Sequence, residues 1–275
     1  MPSRRRFLRR TVGLVAGAAA TTVTGGAVLS AYRFQVEAIS ASLVGLHAPL
    51  RAAWLCDLHY GPFIGVGSVA AWVDTTLALR PDIVLLGGDL VDALGRGQPR
   101  SLVDQLARLR APLGVWGVWG NHDHRRLRAS GGLDAFEGAL AEAGIVMLRN
   151  RGVQVRDDLY LAGLDDWREG RPDLTVTLAG RPAGVPCLLL SHNPDALPHV
   201  PEDVDLTLCG HTHGGQVRLP FVGPLITSSR YGRRFAAGWV RGPALGYVSR
   251  GLGVSQLPVR VACPPELTDL TLAPA

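Results

Sequence analysis

The sequence predicts an α/β fold, a single two-sheet β sandwich flanked by helices, on three observations. Between residues 50 and 145, short apolar runs alternate with segments of helical apolar spacing, the pattern of βα units around a largely parallel sheet. Beyond residue 145 the chain is richer in extended runs. After the first 32 residues no repeat, low-complexity tract or linker interrupts it, so 33–275 read as one domain; at 47% hydrophobic residues it has ample material for a packed core.

The elements follow in order. LRAAWLCDLHYG reads as a strand ending in a polar loop, and Val66 to Leu79 carries helical spacing. PDIVLLGGDLVD is a second strand and loop. SLVDQLARLRA is a helix, with Ser101 as candidate N-cap and Asp104 three residues on. LGVWGVWGNHDH is a third strand and loop, and LDAFEGALAEAG a helix closed by Gly144. IVMLRN, GVQVRDDLYLAGLDD, PCLLLSHNPD, VDLTLCGHTHGG, LGYVSRGLG and PVRVACPPELTDLTL all read as extended.

Residues 1–32 form a separate leader. Its first ten residues hold five arginines and no acid, and Thr11 to Tyr32 is 22 residues without a charge. A basic region before an apolar stretch is an export signal or an anchor, and this stretch is long enough to span a bilayer. Ser3-Arg4-Arg5-Arg6-Phe7-Leu8 is similar to the twin-arginine export signal, and Leu29–Ala31 offers small residues for cleavage. Export, or anchoring by this segment, is the expectation. The leader also carries the net charge of +5: a chain cut after Ala31 keeps 23 basic and 23 acidic residues. The body is neutral, which argues against long nucleic acid as a partner. Cys56, Cys187, Cys209 and Cys263 show no CxxC spacing, and three of them sit in apolar runs; the expectation is four reduced, buried thiols.

Five predicted strands end alike: the apolar run stops, and metal-ligand residue types follow at once. They are Asp57-Leu-His59, Gly87-Gly-Asp89, Gly120-Asn-His-Asp123, Ser191-His192-Asn193 and Gly210-His-Thr-His213. Ligands of open α/β sheets collect at the carboxyl ends of strands, so a sheet brings these tips together. Carboxylates, an amide and imidazoles without thiolate suit manganese, iron or zinc. A bridging carboxylate can hold two such metals about 3.5–4 Å apart, a pair that activates water toward a phosphate ester.

DLHYG, GGDLVD, GNHDH, SHNPD and GHTHGGQ resemble the signature blocks of the calcineurin-like metallophosphoesterases, and the tail from Tyr247 resembles that of the exported YkuE/YaeI-type phosphodiesterase branch. The resemblance implies a dinuclear, metal-dependent phosphoric ester hydrolase acting on phosphodiesters. It implies that Asp57, His59 and His213 hold one metal, that Asp89 bridges, and that Asn121, His192 and His211 complete the second. His122 would protonate the leaving oxygen, and Asp123 would orient its ring.

Arg125 and Arg230 are weaker candidates for substrate contact. His124, Arg126, Asp165 and the basic stretch Tyr231, Arg233 and Arg234 read equally as surface or turn residues, and His47 and His199 receive no role. The segment from Arg218 to Ala237 reads as a lid, a lipid-headgroup contact or a charged loop. The substrates left are small phosphodiesters, phospholipids, nucleotide–sugar pyrophosphates and cell-wall polymers. The partners expected are the twin-arginine export machinery and a membrane surface. Two alternatives differ in kind. One is a membrane-associated UDP-2,3-diacylglucosamine-type pyrophosphatase, which needs an active site facing the cytoplasm. The other is a non-catalytic binding scaffold of the same fold.

Overall fold

A computed structural model describes residues 26–92, 98–128 and 132–275. The basic leader and most of its apolar stretch lie outside these residues. No helix among the described residues is long and apolar enough to cross a membrane.

In chain order the first half holds β1 (Gln35–Leu43), β2 (Leu50–Leu55), α1 (Val66–Leu79), β3 (Ile83–Leu86), α2 (Gln98–Leu106), β4 (Val115–Gly117), α3 (Asn121–Leu127), α4 (Leu133–Glu142) and β5 (Ile145–Met147). The second half holds β6 (Arg151–Arg156), β7 (Leu159–Gly163), α5 (Leu174–Leu178), β8 (Cys187–Leu190), β9 (Leu206–Cys209), β10 (Arg218–Leu219), β11 (Gly223–Pro224), β12 (Gly238–Arg241), β13 (Leu245–Val248) and β14 (Glu266–Pro274). They build two six-stranded sheets, β1-β14-β2-β3-β4-β5 and β12-β13-β9-β8-β7-β6, with β10 and β11 as a separate ribbon. The predicted sandwich is the observed architecture.

The packing follows from strand alternation with both faces buried. In β2, Ala52 and Trp54 point into the sandwich, where they meet Leu161, Leu188, Leu190, Leu206 and Leu208 of the second sheet. Ala53 and Leu55 point the other way, against Trp72 and Val73 of α1, Leu102 of α2 and Phe136 of α4. Trp54 is fully buried between the sheets. Burial of one large apolar side chain stabilises by about 1.5–3 kcal/mol, so layers of this kind dominate the fold energy. All four cysteines are free and buried, as expected.

Two local readings change. Ser101 lies inside α2, which starts at Gln98; Pro99, with its φ preset, suits a first helical turn better than an interior. The segment after β4 is not a loop. Asn121–Leu127 forms α3, with Gly120 as its N-cap and the Asp123 carboxylate accepting from the Gly120 N–H at 2.9 Å. An acid in the first turn satisfies a donor the helix leaves free and suits the positive end of its dipole.

Candidate metal centre

The parallel strands β2, β3 and β4 end side by side, as do β8 and β9 in the opposite sheet. Their carboxyl ends deliver Asp57, Asp89, Asn121, His192 and His211 to one region. Ladder bonds continue past the strands: Asp57 N–H donates to Gly88 O at 3.0 Å, His59 N–H to Asp89 O at 2.9 Å, and Gly210 N–H to His192 O at 2.9 Å.

Asp57, His59, Asp89, His211 and His213 all have φ between 48° and 71°, the left-handed region. Each such residue costs about 1–2 kcal/mol for an L-amino acid. The cost concentrates on the residues that turn polar atoms toward one centre, a pattern of functional rather than structural strain. Two glycines let the backbones close in. A Cβ on Gly120 would stand 2.3 Å from Asp89 Oδ1, and one on Gly210 would stand 2.5 Å from Asp57 Oδ2.

The donor atoms form three overlapping groups: Asp57, His59 and His213; His59, Asp89 and His122; and Asp89, His192 and His211, with the atoms of each group within 4.8 Å of one another. His59 Nε2 lies 2.9 Å from His213 Nε2 and 3.5 Å from Asp89 Oδ2. His192 Nε2 lies 3.3 Å from Asp89 Oδ2, 3.3 Å from Asn121 Oδ1 and 3.2 Å from His211 Nδ1. Asp89 thus stands between two donor sets, where a bridging ligand must stand. The Asp57 carboxylate accepts from the His211 N–H, at 2.9 and 3.1 Å to its two oxygens. The other nitrogen of His192, Nδ1, is 2.8 Å from Gly87 O; its proton belongs there, which leaves Nε2 free to face the centre.

Two observations test whether cations fit. The imidazoles of His59 and His213 face each other nitrogen to nitrogen in a fully buried space. His59 Nδ1 and His211 Nε2 are buried and have no hydrogen-bond partner. The residues fit metal ions.

The electrostatics agree. Burial lowers His59 to a pKa of about 4, against the pull of Asp89, and lowers His211 to about 3; burial also carries His213 well below the usual histidine range. Neutral imidazoles are what metal ligation requires. Burial opposes a charge on His192 as well, yet the Asp89 carboxylate holds its pKa up at about 10. Burial raises Asp57 to about 6, relieved in part by His192. A cation held in the cluster would take over the role of the His192 proton toward these carboxylates.

His122 sits at the rim, edge-on to His59 with ring centroids 4.7 Å apart, and its backbone N–H donates to Asp89 Oδ1 at 2.7 Å. Its Nδ1 lies 3.0 Å from Asp92 Oδ1. Burial works against its charged form, but Asp92 and Asp89 outweigh it and the pKa is raised. The expected partner, Asp123, is fully buried and accepts from Gly120 N–H and from Val91 N–H at 3.0 Å. Neighbouring side chains on a helix point apart, so Asp123 braces the loop after β3 and Asp92 takes its place beside His122. Asp92 was in view as the last residue of GGDLVD, three after Asp89.

The weaker candidates separate. Arg125 Nε is 2.9 Å from Glu169, so it stands beside Asn121 with its charge already met. Arg126 joins Asp92 at 3.1 Å. Asp165 accepts from His124 and from the Arg171 N–H, which makes it a structural acid. His199 stacks on Trp167, and the His47 backbone N–H bonds Asp158. Arg230 lines a cavity beside the centre. The segment around β10 and β11 exposes Phe221, Leu225 and Ile226. Arg260, which no motif marked, is fully buried beneath the centre, 3.3 Å from His213 Nδ1.

Residues 50–215 match the family described as Calcineurin-like phosphoesterase. The chain is 32% identical over 98% of its length to the metallophosphoesterase YkuE of Bacillus subtilis, covering 97% of that protein. It is 31% identical over 99% of its length to the phosphodiesterase YaeI of Escherichia coli, covering all of it. A Danio rerio transmembrane protein with a metallophosphoesterase domain is 31% identical over 87% of this chain and 56% of its own. The chain belongs to the calcineurin-like phosphoesterase family, and it is a metal-dependent phosphoric ester hydrolase.

Proposed function

We propose that this chain is a two-metal phosphodiesterase exported to the periplasm or cell envelope, or held there by its leader, and that it works on small phosphodiesters. One observation carries the reading: five strand ends from two sheets bring their ligand-type side chains into three overlapping triads, two of which share Asp89, at the cost of five left-handed backbones. The diester preference is supported by the name of the E. coli relative, a phosphodiesterase. The leader supports export through the twin-arginine route, and the ligand set suits manganese, iron or zinc.

In this reading Asp57, His59 and His213 hold one ion, Asn121, His192 and His211 the other, and Asp89 both. Bound ions supply charge neutralisation for the phosphate oxygens and a nucleophile at neutral pH. The chain does the rest. The Gly87 carbonyl and the Asp57 carboxylate fix His192 and the loop of His211 before substrate arrives. His122, at the rim, holds a proton for the leaving oxygen, and Asp92 keeps its ring in place and its proton available. A membrane-associated UDP-2,3-diacylglucosamine-type pyrophosphatase is the second reading; the exposed Phe221, Leu225 and Ile226 beside basic residues favour it. The intact ligand set argues against the scaffold reading.

Metal content of the purified protein, measured with hydrolysis of bis-nitrophenyl phosphate before and after chelation, tests this. Two transition metals per chain and activity lost on chelation and regained with manganese are expected. Metal without diester turnover favours the pyrophosphatase; neither metal nor turnover leaves the scaffold.

A further inference from the structure

The arginines that follow His122 are neutralised: Arg125 and Arg128 by Glu169, and Arg126 by Asp92. Arg168 and Arg230 are different. Among the described residues neither guanidinium has a hydrogen-bond or carboxylate partner. Both line one cavity of about 280 Å³.

The cavity borders the centre on the side of His192 and His211. Asn193, which follows His192, forms part of its wall. Ser228, also in the wall, lines a second cavity together with Thr212 and His213.

Both arginines are fixed at the backbone and free at the tip. The Asp166 carboxylate, fully buried, accepts from the Arg168 N–H at 3.0 Å and from the Glu169 N–H at 2.7 Å. Asp195, buried in the cavity wall, accepts from the Arg230 N–H at 3.0 Å and from Ser229 Oγ at 2.5 Å. The Asp195 charge is therefore spent on holding the strap that carries Arg230. Two buried acids thus set two unpaired cations around one cavity. Both side chains are exposed at the cavity, and the guanidinium fork matches phosphate oxygens two at a time.

We propose that the Arg168–Arg230 cavity is an anion subsite that selects substrates carrying a phosphate group besides the one hydrolysed. The proposal rests on the phosphodiesterase reading and names its substrate class: a phosphodiester with a further phosphate, held at the second-ion side while the scissile group lies at the centre.

The test uses the metal-loaded full chain and two esters that differ by one group: thymidine 5′-(p-nitrophenyl phosphate), and the same ester with a 3′-phosphate. The wild type is expected to show at least about tenfold higher kcat/KM on the second ester, mostly through KM. Arg168→Ala and Arg230→Ala should each bring the ratio toward one, and Arg168→Lys and Arg230→Lys should restore part of it. A wild-type ratio at or below one overturns the subsite. So does an equal loss on both esters with the ratio intact, which would place the arginines on the scissile phosphate. A ratio of one together with Arg168-dependent inhibition by inorganic phosphate would make the cavity a site for free phosphate and overturn the substrate assignment. If the loaded wild type turns over neither ester, the phosphodiesterase reading fails and takes the subsite with it; turnover without preference sinks the subsite alone.

Discussion

His122 Nδ1 lies 3.0 Å from Asp92 Oδ1, while Asp123, the acid next to it in the chain, turns its carboxylate back to Gly120 and Val91. The ring is therefore oriented by the loop after β3 rather than by its own helix. Asp92→Asn should lower kcat on a diester with an alkoxide leaving group about 10–100-fold while metal content stays intact. Unchanged kcat would separate Asp92 from the proton-holding role.

His122→Ala goes further. On the same alkoxide diester the expected loss is about 10²–10⁴-fold, and on a nitrophenyl diester much less, because nitrophenolate leaves without a proton. Kinetics on the two leaving groups decide it: equal losses would remove His122 from leaving-group protonation.

Asp89 faces both donor sets, 3.5 Å from His59 Nε2 and 3.3 Å from His192 Nε2. Asp89→Asn should reduce the content of both metals in elemental analysis. Loss of only one metal, or of none, would refute a bridging role.

Arg260 is fully buried and donates to the carbonyls of Cys263, Arg250, Gly251 and Gly253, three of which belong to the loop packed under Asp57. Arg260→Met keeps the bulk and leaves those acceptors buried without donors. Urea unfolding should show a loss of at least about 3 kcal/mol, since each abandoned buried acceptor costs about 1–3 kcal/mol. A loss below about 1 kcal/mol would mean that the loop repacks freely.

Asp158, in the turn between β6 and β7, ties the two sheets by accepting from the His47 N–H at 2.6 Å in the loop between β1 and β2, and it also pairs with Arg156. Burial opposes its charge, but these donors overcome it and hold its pKa below 3.8. A carboxyl depressed in the folded state stabilises fully above its unfolded pKa of 3.8, and that stabilisation fades as pH falls through the lower folded value. Asp158→Asn should therefore lower Tm at pH 7, by an amount matching about 1–3 kcal/mol, and the gap to wild type should close as pH drops below 3.8. A gap independent of pH would assign the effect to packing instead of charge.

Much of the fold and centre was legible because its signals are local. An apolar strand of three to six residues followed shortly by Asp, Asn or His marks its carboxyl end without reference to the rest of the chain, and Asp57, Asp89, Asn121, His192 and His211 all sit at such ends. The α3 helix was not legible, because Asn121-His122-Asp123-His124 has poor helix formers and no apolar stripe; the Gly120 cap and tertiary packing stabilise it. The order of strands was also hidden. β14, the last strand, inserts between β1 and β2, parallel to one and antiparallel to the other, a pairing across more than 200 residues that no local pattern encodes.

By itself the sequence determined which chemistry is available: the ligand types, their placement at strand ends, balanced charge after residue 31, and a ligand set without thiolate. Only the tertiary structure decided which groups work on which. It put Asp92 rather than Asp123 beside His122, set Asp89 between two imidazole sets, and left the Arg168 and Arg230 guanidinium groups without a partner among the described residues while Arg125, Arg126 and Arg128 found acids. The reason is physical. A residue's type and its place on a strand are fixed by its near neighbours, whereas charge pairing and ring orientation depend on distances of a few ångströms between segments that only the closed sandwich brings together.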